Sequence, residues 1–173
     1  MTAFVAFASL FRYPDEAYAD RARVAQAVLS VPDPRTGVSA AHEDLEAFVA
    51  AMSRLDLPAQ QATYTSTFDL APSCSPYLGI HLFGEENPER ARLMLGLRSS
   101  YERVGFPADN SELPDHVAEV MAFAAQEKAE EHDDLVRLVL VPALEKMDAL
   151  LRPTSNPYRH LVSAALHLGG GEL

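Results

Sequence analysis

The chain has 173 residues, 48% of them hydrophobic, with 14 Lys and Arg against 25 Asp and Glu, a formal net charge of -11. Apolar content of that order excludes a disordered chain and suits one globular domain with a sizeable core. The negative charge repels phosphate backbones and anionic lipid, which disfavours nucleic acid and membrane surfaces and points instead to a cationic partner such as a basic peptide.

The opening MTAFVAFASLFRYPDE is apolar but lacks a basic leader segment, and its unbroken apolar run stops at Arg12, too short to span a bilayer. It reads as a core helix over about residues 2–12. Pro14 then restrains Tyr13, and Asp15 can cap a second helix reaching about Ser30. Beyond the breaker-rich VPDPRTG, Ser39 can cap a third helix in which Leu45, Phe48, Val49 and Met52 share one face. Pro58 opens a fourth, where Tyr64, Phe68 and Ala71 share a face and Asp69 stands beside them near the end. Residues 72–88, PSCSPYLGIHLFGEENP, read as a long loop that nevertheless carries Tyr77, Leu78, Ile80, Leu82 and Phe83. Long connections of this kind are often functional, and one so apolar needs cover from the domain or from a partner.

Asn87 or Pro88 starts a strong helix with Leu93, Leu97, Tyr101 and Val104 as its core stripe and Gly105 as its stop. In ELPDHV, residues 112–117, Pro114 suits the first helical position and Asp115 suits the positive end of the helix dipole, with Val117, Val120, Met121 and Ala124 along the apolar face. EKAEEHDD reads as a charged, solvated stretch, and Pro142 should kink or restart LVRLVLVPALEKMDALL. Tyr158 begins a final helix with Leu161, Val162, Ala165, Leu166 and Leu168, and residues 169–173 read as a short flexible tail. Apolar residues recur three and four apart almost throughout, so the expectation is an all-α, single-domain helical bundle over residues 1–173. With no window resembling a transmembrane run, a cytoplasmic location is expected.

Six histidines invite a metal reading, but their spacing gives no HExxH and no helical His/carboxylate cluster, so no metal site is expected. The single cysteine, Cys74, leaves no intrachain disulfide or cysteine-built zinc site, as suits a reducing compartment. A nucleophile activated by His116 with Asp115 as orienter is disfavoured, because neighbours on a helix point in divergent directions. With no GxSxG and no phosphate-cradling glycine loop either, the chain does not read as an enzyme; a small hydrolase using His116 stays as a lesser alternative.

The stretch YTSTFDLAPSCSPYLGIHLFGEENPERARLMLGLRSSYERVGFPADNSELPDHVAEVMAF resembles the delta-subunit chaperones of respiratory nitrate reductase (NarJ-type), within the wider TorD/DmsD group of redox-enzyme maturation proteins. The ordered points of match are Tyr64 and Phe68; His81 with Gly84 and Glu85; Arg90, Leu97, Tyr101 and Gly105; and Glu112 through His116. The resemblance implies an all-α, non-enzymatic cytosolic chaperone that binds the N-terminal peptide of a molybdenum oxidoreductase catalytic (alpha) subunit and assists cofactor insertion and complex assembly. It implies no cofactor of the chain's own, since molybdenum-bis(guanine dinucleotide) belongs to the client. A structural subunit of a redox complex is a competing reading, and a long hinge loop permits a helix-swapped dimer as well as a monomer. On the chaperone reading a client peptide lays apolar side chains on Tyr64, Phe68, Tyr77, Leu78 and Leu82, while Asp69, Glu112 and Asp115, at a helix mouth formed by Pro114 and His116, meet its basic residues. An exposed His116 would also tune the site near neutral pH.

Overall fold

The computed structural model describes residues 2–29, 38–109, 111–126 and 132–170. Helix α1 (Ala3–Leu10) starts at Thr2, whose side chain accepts from the Val5 amide, and it buries Phe4, Ala6, Phe7, Ala8 and Leu10. A helix that is apolar nearly all round must be surrounded, and α1 is packed by α2 (Tyr18–Val28), α7 (Val117–Ala124) and α10 (Tyr158–Gly170). Asp15 organises the entry to α2 from outside it: its carboxylate accepts from the Ala17 amide at 2.9 Å and pairs with Arg21 at 2.8 Å.

The stripe foreseen in α3 (Val38–Met52) is present, with Leu45, Phe48 and Met52 buried and Val49 half-buried. It lies along α10, the most extensive helix pairing in the molecule. Helix α4 (Leu57–Phe68) is capped by Asp56, which accepts from the Ala59 amide at 3.0 Å, and it carries Pro58 in its first turn, where a missing N–H costs nothing. It ends at Phe68, so Ala71 lies beyond the buried face, exposed, in the left-handed region at φ 47°.

The expected long loop is interrupted by a short helix, α5 (Leu78–Phe83), closed by Gly84 at φ 91°. Its apolar residues pack on α6 (Pro88–Val104) and α9 (Val141–Leu151), which is the cover the composition demanded. Helix α6 begins under an Asn87 cap and stops at Gly105, left-handed at φ 67°. Leu97 and Tyr101 are buried and Leu93 half-buried, whereas Val104, in the last turn, is exposed.

Pro142 stands in the first turn of α9, where the α-helix restarts as expected. Helix α8 (His132–Leu135) passes into a π-helical turn, Val136–Leu140, and on into α9. Proline cannot donate to the carbonyl four residues back, and its ring collides with that carbonyl; the widened turn immediately before Pro142 absorbs both problems. The tail expectation is corrected at its start. Gly169 is buried inside α10, and a Cβ there would lie 3.0 Å from Val141 Cγ2. Residues 171–173, like 31–37 in the breaker-rich stretch and 127–131 in the charged one, lie outside the described residues.

The chain is all-α, as expected; among the described residues the only β feature is an isolated antiparallel bridge between Tyr77 and His116. No described helix is long and apolar enough to cross a membrane. At the centre, Tyr158 meets Phe48, Tyr64 and Phe68 with ring centroids 4.8–6.0 Å apart. The buried hydroxyls are satisfied locally: Tyr18 donates to the Leu10 carbonyl at 3.1 Å and Tyr64 to the Phe11 carbonyl at 3.3 Å. The first bond ties α2 to the end of α1 and the second draws the ends of α1 and α4 together, a junction that is one wall of the site below.

Candidate functional site

Two segments far apart in sequence meet at the bridge. The Val117 amide donates to the Pro76 carbonyl at 2.9 Å and the Leu78 amide to the Asp115 carbonyl at 2.8 Å, so the entries to α5 and α7 lie side by side. Helix α7 starts at Val117 and not at Pro114. Its cap is His116, whose Nδ1 accepts from the Ala118 amide at 3.1 Å, which places the ring proton on Nε2. Pro114 precedes that cap, buried, and its carbonyl accepts from the Tyr101 hydroxyl at 2.8 Å.

Asp115 corrects a second expectation. Its side chain is 0% exposed and does not face solvent; Oδ2 accepts from Arg90 Nε at 3.0 Å, while Oδ1 has no hydrogen-bond partner among the described residues. Gly79 on α5 is the floor of this pair, for a Cβ there would sit 2.7 Å from Asp115 Oδ2 and 2.8 Å from Arg90 Cγ. The Arg90 guanidinium lies 5.8 Å from the Tyr77 ring centroid, and Tyr77 in turn meets the His116 ring edge-on at 5.6 Å. His116 is also buried, at 2%. Burial, helped by the Arg12 charge, pushes its pKa down to about 4, so it is a neutral cap rather than a residue that titrates near neutral pH.

Above this base lies a cleft of about 410 Å³. Tyr64, Phe68, Pro76 and Tyr77 give it aromatic and apolar lining, and Asp69, Asp109 and Glu112 give it negative charge. Glu112, half-buried, accepts from the Tyr77 hydroxyl at 3.2 Å. Its pKa is raised, first by burial and then by Asp109, against the lowering effect of the tyrosine hydroxyl. Asp109 is held low by the Ser111 hydroxyl and amide, which donate to Oδ1 at 2.7 and 2.9 Å. Arg12 is the cation of this lining. It reaches Asp109 at 3.3 Å and also pairs with Glu119, a carboxylate buried on α7 whose other oxygen accepts from the Asp109 amide at 3.1 Å.

Of the ten residues singled out from the sequence, Tyr64, Phe68, Asp69, Tyr77, Glu112 and His116 line this one cleft. Leu78, Pro114 and Asp115 are buried beneath it as support, and Leu82 is half-buried on α5, outside the lining. Arg12, Tyr13, Pro76, Asp109 and Ser111 were not foreseen. Arg12 lies 97 and 107 residues from its carboxylate partners, and no local spacing signals such a pairing. Arg90 stood among the points of family resemblance, but nothing in its own sequence neighbourhood showed that it pairs with Asp115.

Asp115 and His116 do diverge as expected, one toward Arg90 and the other back to the α7 backbone, so they form no relay. Cys74 is buried 4.0 Å from His81 Nε2, and burial pushes its thiol pKa up to about 12, which keeps it protonated. Among the described residues no group of three His, Cys, Asp or Glu side chains is arranged to hold a metal ion.

Residues 32–163 match the nitrate reductase delta subunit family. The nitrate reductase molybdenum cofactor assembly chaperone NarJ of Escherichia coli K12 is 28% identical over 121 residues, which cover 70% of this chain and 50% of that protein. The probable nitrate reductase molybdenum cofactor assembly chaperone NarW of the same strain is 29% identical over 117 residues, covering 66% and 48%. The chain thus spans about half the length of these relatives. Among solved structures, an Archaeoglobus fulgidus protein assigned as a redox enzyme maturation protein superposes with a TM-score of 0.60 at 20% identity, over 94% of this chain and 89% of that one, a likeness of fold.

Proposed function

Because the chain belongs to the nitrate reductase delta subunit family, we propose that it is an assembly chaperone for a molybdenum oxidoreductase, with nitrate reductase as the client. It holds the immature catalytic subunit by that subunit's N-terminal peptide while the client's molybdenum-bis(guanine dinucleotide) cofactor is inserted, and it works in the cytoplasm without chemistry of its own.

The observation that carries this reading is the cleft itself. It joins tyrosine and phenylalanine rings to a rim of carboxylates on a chain that is negative overall, which suits a peptide with both apolar and basic side chains. Tyr77 is the central contact: it is half-buried, held by Glu112, Arg90 and His116, and aromatic anchors in such settings carry much of a peptide's affinity. Tyr64 and Phe68 supply the apolar lining, and Asp69 and Glu112 meet basic groups. Leu78, Pro114 and Asp115 act from beneath by fixing where Tyr77 stands, and His116 holds the Tyr77 ring from within the lining.

Calorimetric titration with the N-terminal peptide of the catalytic subunit tests the reading. Saturable binding is expected, and Tyr77→Ala should weaken it by about 2 kcal/mol, the size of a central aromatic contact. A wild-type protein that takes up no peptide, or a Tyr77→Ala variant that binds as well as wild type, refutes the assignment of this cleft.

A further inference from the structure

Tyr13 lines the cleft with its ring set edge-on against Tyr64, the centroids 5.4 Å apart. It is 50% exposed, whereas Tyr64 and Phe68 on the same wall are only 8% and 4% exposed. We infer that Tyr13 occupies a subsite of the peptide cleft: its ring fills the place on Tyr64 that a large apolar side chain of the peptide takes, and binding swings it aside.

The inference rests on the peptide-binding reading and adds a self-occupied subsite and the class of side chain that claims it. Three observations support it. The first is that the apolar wall is already covered. Phe68 and Tyr158, which meet the Tyr64 ring at 5.2 and 6.0 Å, are core rings, and Tyr13 is the exposed member among the rings described on Tyr64. A peptide side chain gains ring surface there by taking the position of Tyr13. The second is that the Tyr13 ring is not tethered. The hydroxyls of Tyr18, Tyr64, Tyr77, Tyr101 and Tyr158 all have hydrogen-bond partners, and that of Tyr13 has none among the described residues. The third is that the segment is held by its main chain. Arg21, itself paired with Asp15, donates to the Tyr13 carbonyl at 3.3 Å, and Gln61 Nε2 donates to the Pro14 carbonyl at 2.9 Å. Pro14 stiffens the backbone on either side of the peptide bond it shares with Tyr13. The ring can therefore turn about its side-chain bonds while the wall stays in place, a fast motion for an exposed side chain. One edge contact between rings is given up, and a side chain as large as Phe, Tyr, Leu or Met restores apolar contact on Tyr64. A small or charged side chain does not, and it leaves Tyr13 where it stands.

The probe is a synthetic N-terminal peptide of the nitrate reductase catalytic subunit from the same organism, with variants in which each large apolar residue is replaced in turn by Ala. Tyr13→Ala removes the occupant and should tighten calorimetric binding of the parent peptide about threefold, the opposite sign to Tyr77→Ala. Tyr13→Phe, which keeps the ring, should show no such gain. The gain should vanish for one Ala-substituted peptide, which identifies the side chain that claims the subsite through the coupling of the two changes. The chain contains no tryptophan, so Tyr13→Trp provides a single fluorescent reporter. Its emission should move to the red and become more open to acrylamide quenching when a tryptophan-free peptide saturates the protein. A Tyr13→Ala variant that binds the parent peptide no tighter than wild type, or a reporter that stays unchanged or moves to the blue, overturns the subsite; a loss on Tyr77→Ala in the same titrations leaves the peptide reading standing. A wild-type protein that binds no peptide overturns both.

Discussion

Removing the Asp115 carboxylate leaves the Arg90 guanidinium, itself only 9% exposed, without its partner. Breaking a buried pair from one side strands a charge in a poorly solvated place, so Asp115→Ala should lower unfolding free energy by about 3 kcal/mol in urea titration. The same residue read from sequence alone gave the opposite surroundings. Its position just ahead of an apolar run suited an exposed first helical turn, and only the distant Arg90 and Gly79 put it inside. His116 was displaced from expectation for a similar reason, since burial by Tyr77 and α7 is a tertiary fact. Its pKa in the fold, about 4, lies below the ordinary 6.5, so below pH 6.5 the unfolded chain binds more protons than the folded one. Its stabilising contribution is complete above pH 6.5 and is lost as pH falls toward 4, a span of about 3 kcal/mol. His81, lowered by burial as well, adds to the same trend. His116→Asn keeps a side chain that can cap α7 and should make stability measured between pH 7 and 4 fall less steeply than in wild type.

Helix boundaries were legible at some caps and breakers and not at others: Pro114 stands ahead of α7 without opening it, and Ser39 lies inside α3. Asn87, Pro88 and Gly105 delimit α6 as read, and Pro58 marks the opening of α4. Asn87→Ala should cost about 1 kcal/mol, seen as a lower urea midpoint with unchanged slope. Short elements were not legible. α5 has six residues, too few for a 3.6-residue period to declare itself, and its glycine, histidine and flanking prolines read as a loop. Gly79 gives the sharpest test of that helix. In an ordinary helix interior Gly→Ala stabilises by roughly 1 kcal/mol, but here the added methyl meets Asp115 Oδ2 and Arg90 Cγ inside van der Waals distance. Gly79→Ala should therefore lower the melting temperature by a few degrees, with the sign opposite to propensity.

Across the whole molecule, the sequence resolved the fold class and most of the floor and rim of the cleft, because apolar periodicity and ordered short motifs are local signals. The ion-paired side of the cleft did not emerge, because Arg12, Asp109 and Glu119 become neighbours only when α1 lies on α7. A net charge of -11, with Asp69, Asp109 and Glu112 against Arg12 in the cleft lining, also acts at long range. Stopped-flow association with a basic peptide should slow by about an order of magnitude or more between low and physiological salt, while dissociation changes much less. The bridge between Tyr77 and His116 carries one more consequence. Every recognition group near it depends on a contact between distant parts of the chain, and such contacts are established late, after the local helices have formed. A newly made or damaged copy that has its helices but not this clasp presents no organised mouth, so the peptide binding proposed above requires that the chain's own folding be complete.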